Sequence, residues 1–230
     1  MKPLFLFFLL FQTCLVNGQD LLREKFFEDG GDLMPAKGDT VLCLSLSSQP
    51  FGFLDTLKGI GPVQVDEIYY LLYKKGNKMF SRKFVSYFNI DVSLTKLSVS
   101  NPINIKADSI FSFVRTNLLR LQREGIAPYI YRSEKPGSEI VGYDILEEAN
   151  PTIPYVGIHT ATDDIGRDIK PTSLQERLLP DTPYNLNYKA NMNTKLVLFY
   201  RELVNITASL RKKYTFTKKS AYYFAMKKSK

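Results

Sequence analysis

The sequence holds one histidine, and it lies in a short run that could carry out acid-base chemistry. In "HTATDD", residues 159–164, His159 is followed by the carboxylates of Asp163 and Asp164. An imidazole titrates near neutral pH and can act as a general base, while a carboxylate beside it can orient the ring. The run ends the apolar stretch "PYVGIH" and opens a long polar segment, and sites often lie where a strand meets a loop. This pattern makes His159, Asp163 and Asp164 catalytic candidates for a hydrolase, with residues 162–194 as its lid or substrate loop.

A purely structural role explains the same run more simply. A histidine at a strand end is commonly solvated or hydrogen-bonded, and paired aspartates commonly begin turns. The sequence contains no Gly-x-Ser-x-Gly nucleophile motif, no Gly-x-Gly-x-x-Gly and no Gly-Lys-Ser/Thr phosphate loop. A single histidine also excludes zinc sites built on two or three histidines. We therefore favour the structural role, and we predict neither a metal nor a cofactor.

The second feature with chemical potential is the C-terminal segment, residues 211–230. It reads "RKKYTFTKKSAYYFAMKKSK" and carries the whole of the formal net charge of +8. Clustered cations attract phosphates, sulfated glycans and anionic lipids through Coulomb attraction and counterion release. The aromatic residues between them could stack or insert at an interface. The predicted anion-binding residues are Arg211, Lys212, Lys213, Lys218, Lys219, Lys227 and Lys228.

The same basic segment could instead complete a sheet. "YTFT" is typical of an edge strand, and lysines commonly protect such edges from pairing with other chains. The two interpretations carry similar weight. If the segment binds an anionic partner, removal of residues 211–230 should weaken that binding and its dependence on salt.

The N-terminus predicts entry into the secretory route. Residues 1–18 combine the basic Lys2 with an apolar run and small residues before a cut, so we place a signal peptide there, with Gln19 as the mature N-terminus. The apolar run is too short to span a bilayer, and we predict no later transmembrane segment.

Two residues of the mature chain gain meaning from this route. Asn205-Ile206-Thr207 is an acceptor for N-glycosylation. Cys43 is the one cysteine of the mature chain; its apolar flanks favour burial, and pairing between chains is the alternative.

The elements that would position these residues predict a single α+β domain over residues 19–210. Strand-like runs flank Lys75-Gly76-Asn77-Lys78 as in a hairpin, and a second hairpin is centred on Pro136-Gly137. Apolar residues at helical spacing predict a central amphipathic helix over residues 108–125, with Asp108 as its cap. They also favour a C-terminal helix after Thr194, although its valines and isoleucine would permit a strand. Hairpins that surround one helix favour a mainly antiparallel sheet.

Several weaker expectations complete the prediction. We expect a short helix within residues 20–31, a connection over residues 49–62, and a bulge or break at Lys96. Residues 162–194 show no clear element beyond a possible helical turn in "SLQERLL". The aromatic residues of "EIYYLLY" alternate between the two sheet faces; we expect them mainly to be covered, and an exposed set for stacking is the alternative.

The sequence as a whole favours a secreted, extracellular and non-enzymatic binding protein. Its partner would be anionic: a glycan, a membrane surface or an acidic protein. Nucleic acid fits less well with a secreted chain. The alternatives are a secreted hydrolase at His159 and an extracellular carrier of a small apolar ligand held against the aromatic sheet.

Overall fold

The computed structural model describes residues 40–47, 54–57, 61–89, 94–134, 141–146, 153–160 and 162–225. The predicted signal peptide, the predicted helix within residues 20–31 and the turn at Pro136-Gly137 lie outside the described residues. The fold class is confirmed: the described chain is α+β, with antiparallel strands and helices in one sheet-based body. The strands are β1 (Val41–Ser47), β2 (Leu54–Leu57), β3 (Gly61–Lys75), β4 (Lys78–Asn89), β5 (Leu94–Ser100), β6 (Ile103–Ile105), β7 (Tyr129–Glu134), β8 (Val141–Leu146), β9 (Pro154–His159), β10 (Asp164–Asp168) and β11 (Phe216–Ala225). The helices are α1 (Asp108–Arg123), α2 (Tyr188–Met192) and α3 (Lys195–Leu210), with a 3-10 turn at Pro171–Leu174.

Nine of these strands form one sheet, whose main order is β10-β9-β1-β3-β4-β5-β11. β2 pairs with β3, β6 pairs with β4, and β7 and β8 form a separate two-stranded sheet. The predicted hairpin is confirmed as β3 and β4, where Gly76 has a φ of 60°. Only glycine adopts that left-handed conformation without steric cost, and this explains the residue at the turn.

The main sheet has two buried faces. The helix face contains Leu42, Leu44, Tyr70 and Leu72, and it packs in one apolar cluster with the helices. The opposite face is defined by the residues that alternate with these, because side chains of a strand point to opposite sides in turn. Its members Val41, Cys43, Leu71, Tyr73, Phe84 and Val99 are also buried. Burial of Cys43 is confirmed, and Tyr70 and Tyr73, which lie on opposite faces, are both covered.

Both predicted helices are present, and α3 contributes most to the core. Thr194 caps α3, since its Oγ1 accepts a hydrogen bond from the backbone N–H of Val197 at 3.2 Å. Leu196, Phe199 and Leu203 are almost fully buried against the helix face. Asn205 is exposed, as expected for a glycosylation acceptor on the outer side of this helix.

The structure corrects several local predictions. Asp108 does not cap α1: it is the first residue of the helix, Ala107 occupies the cap position, and no side-chain cap bond forms there. The acidic residue still complements the positive end of the helix dipole. β5 runs through Lys96 without a break and ends at Ser100. Residues 54–57, within the predicted connection, form β2. Residues 164–168, where no clear element was predicted, form β10, and the helical turn expected in "SLQERLL" lies earlier, at Pro171–Leu174.

The described part of the C-terminal segment, residues 211–225, belongs to the fold. Tyr214 is buried, its ring lies 5.7 Å from that of Tyr70, and its hydroxyl shares a 2.7 Å hydrogen bond with Ser81. β11 then pairs with β5 and ends the main sheet. Deletion of residues 211–230 would therefore remove a core side chain and a strand together with the charges, so substitution of the charged residues separates binding from folding.

The buried Tyr214 predicts a loss of stability at alkaline pH. Burial raises the pKa of Tyr214 from its ordinary 10.0 to about 12, while its hydrogen bond with Ser81 opposes the rise. Because the pKa is higher in the folded state, the stabilising contribution of neutral Tyr214 is complete below pH 10 and is lost as the pH rises toward 12. Urea unfolding across this range should show the decline.

Tyr214→Phe provides the control for this pH dependence. The variant should be less stable than the wild type by about 1 kcal/mol at neutral pH, where one hydrogen bond is lost. Its decline at alkaline pH should be shallower. An equal decline in both proteins would show that Tyr214 is not responsible.

Candidate functional site

Two cations, Arg211 and Lys83, lie near each other where α3 ends, and two more follow Arg211 along the chain. We call Lys83, Arg211, Lys212 and Lys213 the basic site. Arg211 is the C-cap residue of α3, and the two lysines that follow it are exposed. Lys83 reaches the same region from β4, with its Nζ 5.8 Å from the centre of the Tyr70 ring. No carboxylate of the described chain forms an ion pair with any of the four.

The pKa of Lys83 reflects its burial and the nearby positive charge. Burial lowers the pKa of Lys83 below its ordinary 10.5, and the nearby charge of Arg211 lowers it further. Arg211 also acts on Tyr70, where burial raises the pKa and the arginine partly opposes that rise. An anion placed beside a lysine whose pKa is lowered stabilises its charged form. The basic site therefore favours an anionic ligand.

The other predicted anion-binding residues lie further along the C-terminal segment. Lys218 and Lys219 belong to β11, inside a register shift between Phe216 and Ala221. Lys227 and Lys228 lie outside the described residues. Sequence reasoning missed Lys83, because a lysine within an alternating strand carries no signal that it meets a helix end far along the chain.

The candidate catalytic residues occupy a hairpin of β9 and β10. His159 ends β9, and its Nδ1 lies 3.0 Å from Oδ1 of Asp164, the first residue of β10. The two residues pair directly across the strands. His159 is partly exposed, at 26 %, and Asp164 largely exposed, at 77 %. A carboxylate at Nδ1 fixes the orientation of the imidazole ring, as a general base requires.

Asp163 holds the turn between the two strands. Its Oδ1 accepts a hydrogen bond from Gln122 Nε2 at 2.7 Å, and its Oδ2 accepts one from Thr162 Oγ1 at 2.7 Å. Its backbone N–H donates to Thr160 Oγ1 at 2.8 Å. Asp163 therefore fastens the turn to the end of α1. Arg167 of β10 donates through Nη1 to the carbonyl oxygen of Gly166 and through Nη2 to that of Gln122.

Two glycines leave room for neighbouring side chains to lie against the backbone of β9 and β10. Gly157 and Gly166 are paired across β9 and β10, and Cys43 is the partner of Gly157 on β1. A Cβ atom at Gly157 would lie 3.1 Å from His159 Nε2 and 3.3 Å from Cys43 Cβ. The imidazole and the cysteine thus flank the same small space, with Tyr155 lying over Gly166 on the same face.

A side chain at Gly166 should destabilise this arrangement. A Cβ atom there would lie 2.8 Å from Tyr155 Cζ, closer than van der Waals contact allows. Because the ring must move, Gly166→Ala should lower the free energy of unfolding by about 1–3 kcal/mol, as overpacking usually does. Gly125→Ala is the matched control, since nothing lies within 4 Å of a Cβ atom at Gly125. Similar urea midpoints for the two variants would contradict the close contact.

The polar segment after β10 is held by buried amides. Asn191 accepts from the backbone N–H of Ala127 at 2.9 Å and donates to the carbonyl oxygens of Ala127 and Ser173, each at 2.9 Å. Asn185 donates to the carbonyl oxygens of Ser173 and Gln175. A lid that opens over His159 would have to break these bonds. The described residues contain no group of three His, Cys, Asp or Glu side chains that could hold a metal ion.

Comparisons with protein-family models, curated proteins and solved structures found no match for this chain. In the part of the chain that the structure describes, no helix has the length and apolar character needed to cross a membrane.

Proposed function

We propose that this protein is a secreted binding protein, without enzymatic activity, that contacts an anionic partner through the basic site and the C-terminal segment. The observation that carries the proposal is the proximity of Lys83 to Arg211, which Lys212 and Lys213 follow along the chain, without a described carboxylate that pairs with any of the four. The signal-peptide pattern and the exposed sequon at Asn205 support an extracellular location.

Physical considerations favour a flexible polyanion, such as a sulfated glycan, as the partner. Three of the four cations are exposed and follow one another along the chain, so a polyanion can meet them by releasing counterions without any change of fold. Lys218 and Lys219 follow along the chain, within β11. The cations also stabilise the C-terminal end of α3 through the helix dipole, but that role does not require so many of them.

The test of the proposal is retention of the full-length protein on immobilised heparin. We expect retention at low ionic strength, release as sodium chloride is raised, and no retention on uncharged dextran. Vesicles that contain anionic lipid provide a second arm, which distinguishes a membrane surface from a glycan. Failure to bind either polyanion at low salt would overturn the proposal.

A hydrolase at His159 remains the second candidate, because the Nδ1 contact with Asp164 and the proximity of Cys43 form the parts of a nucleophilic site. In such a site His159 takes the proton of the Cys43 thiol, and the thiolate attacks the carbonyl carbon of an ester or amide. The leaving group departs with that proton, and water then hydrolyses the thioester. The burial of Cys43, which is 8 % exposed, weighs against this function.

Alkylation of Cys43 by iodoacetamide at a series of pH values tests this candidate. A cysteine paired with His159 should react at a pH well below the ordinary thiol pKa of about 8.5, and His159→Gln should return the reaction to that range. Asp164→Asn should have a smaller effect in the same direction. A thiol that is unreactive, or equally reactive in the wild type and His159→Gln, would exclude the site.

A further inference from the structure

The sequon Asn205-Ile206-Thr207 lies within α3, and the two residues that define it occupy opposite sides of that helix. Asn205 is exposed, whereas Thr207 is only 4 % exposed. Two residues of an α-helix differ by about 200° in direction, so side chains at positions i and i+2 do not face each other. The hydroxyl of the sequon is therefore buried on the side away from the asparagine that accepts a glycan.

Hydrogen bonds and apolar packing hold the Thr207 hydroxyl in this position. Its Oγ1 donates to the carbonyl oxygen of Leu203 at 2.9 Å and shares that hydrogen with the carbonyl oxygen of Val204 at 3.1 Å. Leu203 and Leu210, at helical spacing from Thr207, are buried in the apolar cluster against the helix face. An enzyme that contacts this hydroxyl must unwind α3 and withdraw it from the core.

We propose that Asn205 accepts an N-glycan only while α3 is unfolded, and that the folded protein is closed to the transferase. In an extended chain the side chains of residues i and i+2 lie on the same side, so Asn205 and Thr207 enter one enzyme site together. The donor is an oligosaccharide linked to a lipid through a diphosphate. The side-chain nitrogen of Asn205 bonds to the anomeric carbon and gives one proton to a base of the enzyme. The bond between that carbon and the diphosphate oxygen breaks, and the lipid diphosphate leaves.

Glycosylation therefore competes with the folding of α3. Because Phe199 and Leu203 anchor this helix in the core, it opens only when the apolar cluster opens. Open fractions of folded proteins are about 10⁻³ to 10⁻⁶, so little acceptor remains after folding. A glycan attached earlier projects from the exposed side of α3 and is compatible with the fold. The inference concerns α3 alone and is independent of polyanion binding at the basic site.

The experiment incubates unglycosylated full-length protein with purified oligosaccharyltransferase and its lipid-linked donor, and follows the mass of the chain. Phe199→Asp provides a full-length chain in which α3 cannot pack, since it places a charge in the core and leaves the sequon intact. The wild type should be modified at least about 100-fold more slowly than this variant. Leu198→Asp is the matched control: its site is 39 % exposed, so the variant should fold and react as slowly as the wild type.

Near-ultraviolet circular dichroism of Phe199→Asp shows whether its tertiary packing is lost. Should the variant remain packed, Phe199→Pro replaces it, because proline interrupts the helix. Thr207→Val in the unpacked chain should abolish modification, since valine keeps the shape of threonine but lacks the hydroxyl. Equal rates for the wild type and the unpacked variant would overturn the proposal, because the folded sequon would then be accessible. An unpacked variant that is not modified at all would also overturn it.

Discussion

Phe199→Ala should lower the free energy of unfolding by about 3–5 kcal/mol, the usual cost of removing a buried phenylalanine. Phe199 is 1 % exposed and lies in the apolar cluster that joins α3 to the helix face of the sheet. The substitution removes most of a side chain that is packed between α3 and the sheet. The surroundings can therefore collapse only partly, and a cavity remains.

Leu198→Ala is the matched control in the same turn of α3. Leu198 is 39 % exposed, so its replacement should change the free energy of unfolding by much less, within about 1 kcal/mol. Urea unfolding of the three proteins measures both values. Equal losses in the two variants would mean that α3 does not present Phe199 to the sheet as described.

The helices and the main hairpin were predictable because their signals are local. Apolar residues at helical spacing identify α1 and α3, and Gly76 marks the turn between β3 and β4. The predicted cap of α1 was wrong by one position, because the sequence shows only that an acidic residue lies near the start of the helix. Antiparallel pairing followed from the hairpins themselves.

The region after His159 was not predictable from apolar periodicity. β10 contains only one buried apolar side chain, that of Ile165. Its apolar and polar residues therefore do not alternate clearly enough to predict a strand. The segment that follows is fixed by the amides of Asn185 and Asn191, which bond to backbone groups that the sequence cannot identify. As a result, His159 and Asp164 were recognised as neighbours along the chain but not as partners across two strands.

The basic site could be predicted only in part. The charge of residues 211–213 is evident from the sequence, but Lys83 joins them because Tyr214 returns to β4, where its hydroxyl meets Ser81. That contact links residues 133 positions apart. No local pattern signals it.

Replacement of Arg211, Lys212 and Lys213 together by glutamine should weaken heparin binding by about 100-fold at low salt. Each cation contributes roughly 1 kcal/mol to the binding free energy at an anionic surface, and each 1.4 kcal/mol changes the binding constant about tenfold. All three side chains are exposed, so the fold should tolerate the change. Tyr214 and β11 are retained, and the variant therefore tests charge without removing core residues.

A second triple variant controls for net charge. Lys74, Lys75 and Lys78 are exposed around the β3–β4 turn, and their replacement by glutamine removes the same number of charges. Heparin affinity should then fall much less, by the loss of long-range attraction alone. If the two triple variants lose affinity equally, the partner responds to net charge and the basic site has no specific role.

The salt dependence of heparin affinity tests the central claim most directly. Each cation that contacts the polyanion releases counterions, so the logarithm of the binding constant falls linearly with the logarithm of the salt concentration. On duplex DNA, each such contact adds about 0.9 to the magnitude of this slope. Salt titrations of the wild type and of the variant with glutamine at positions 211, 212 and 213 should therefore give slopes that differ by roughly 3. Equal slopes would show that these cations do not meet the polyanion, and would contradict the proposed function.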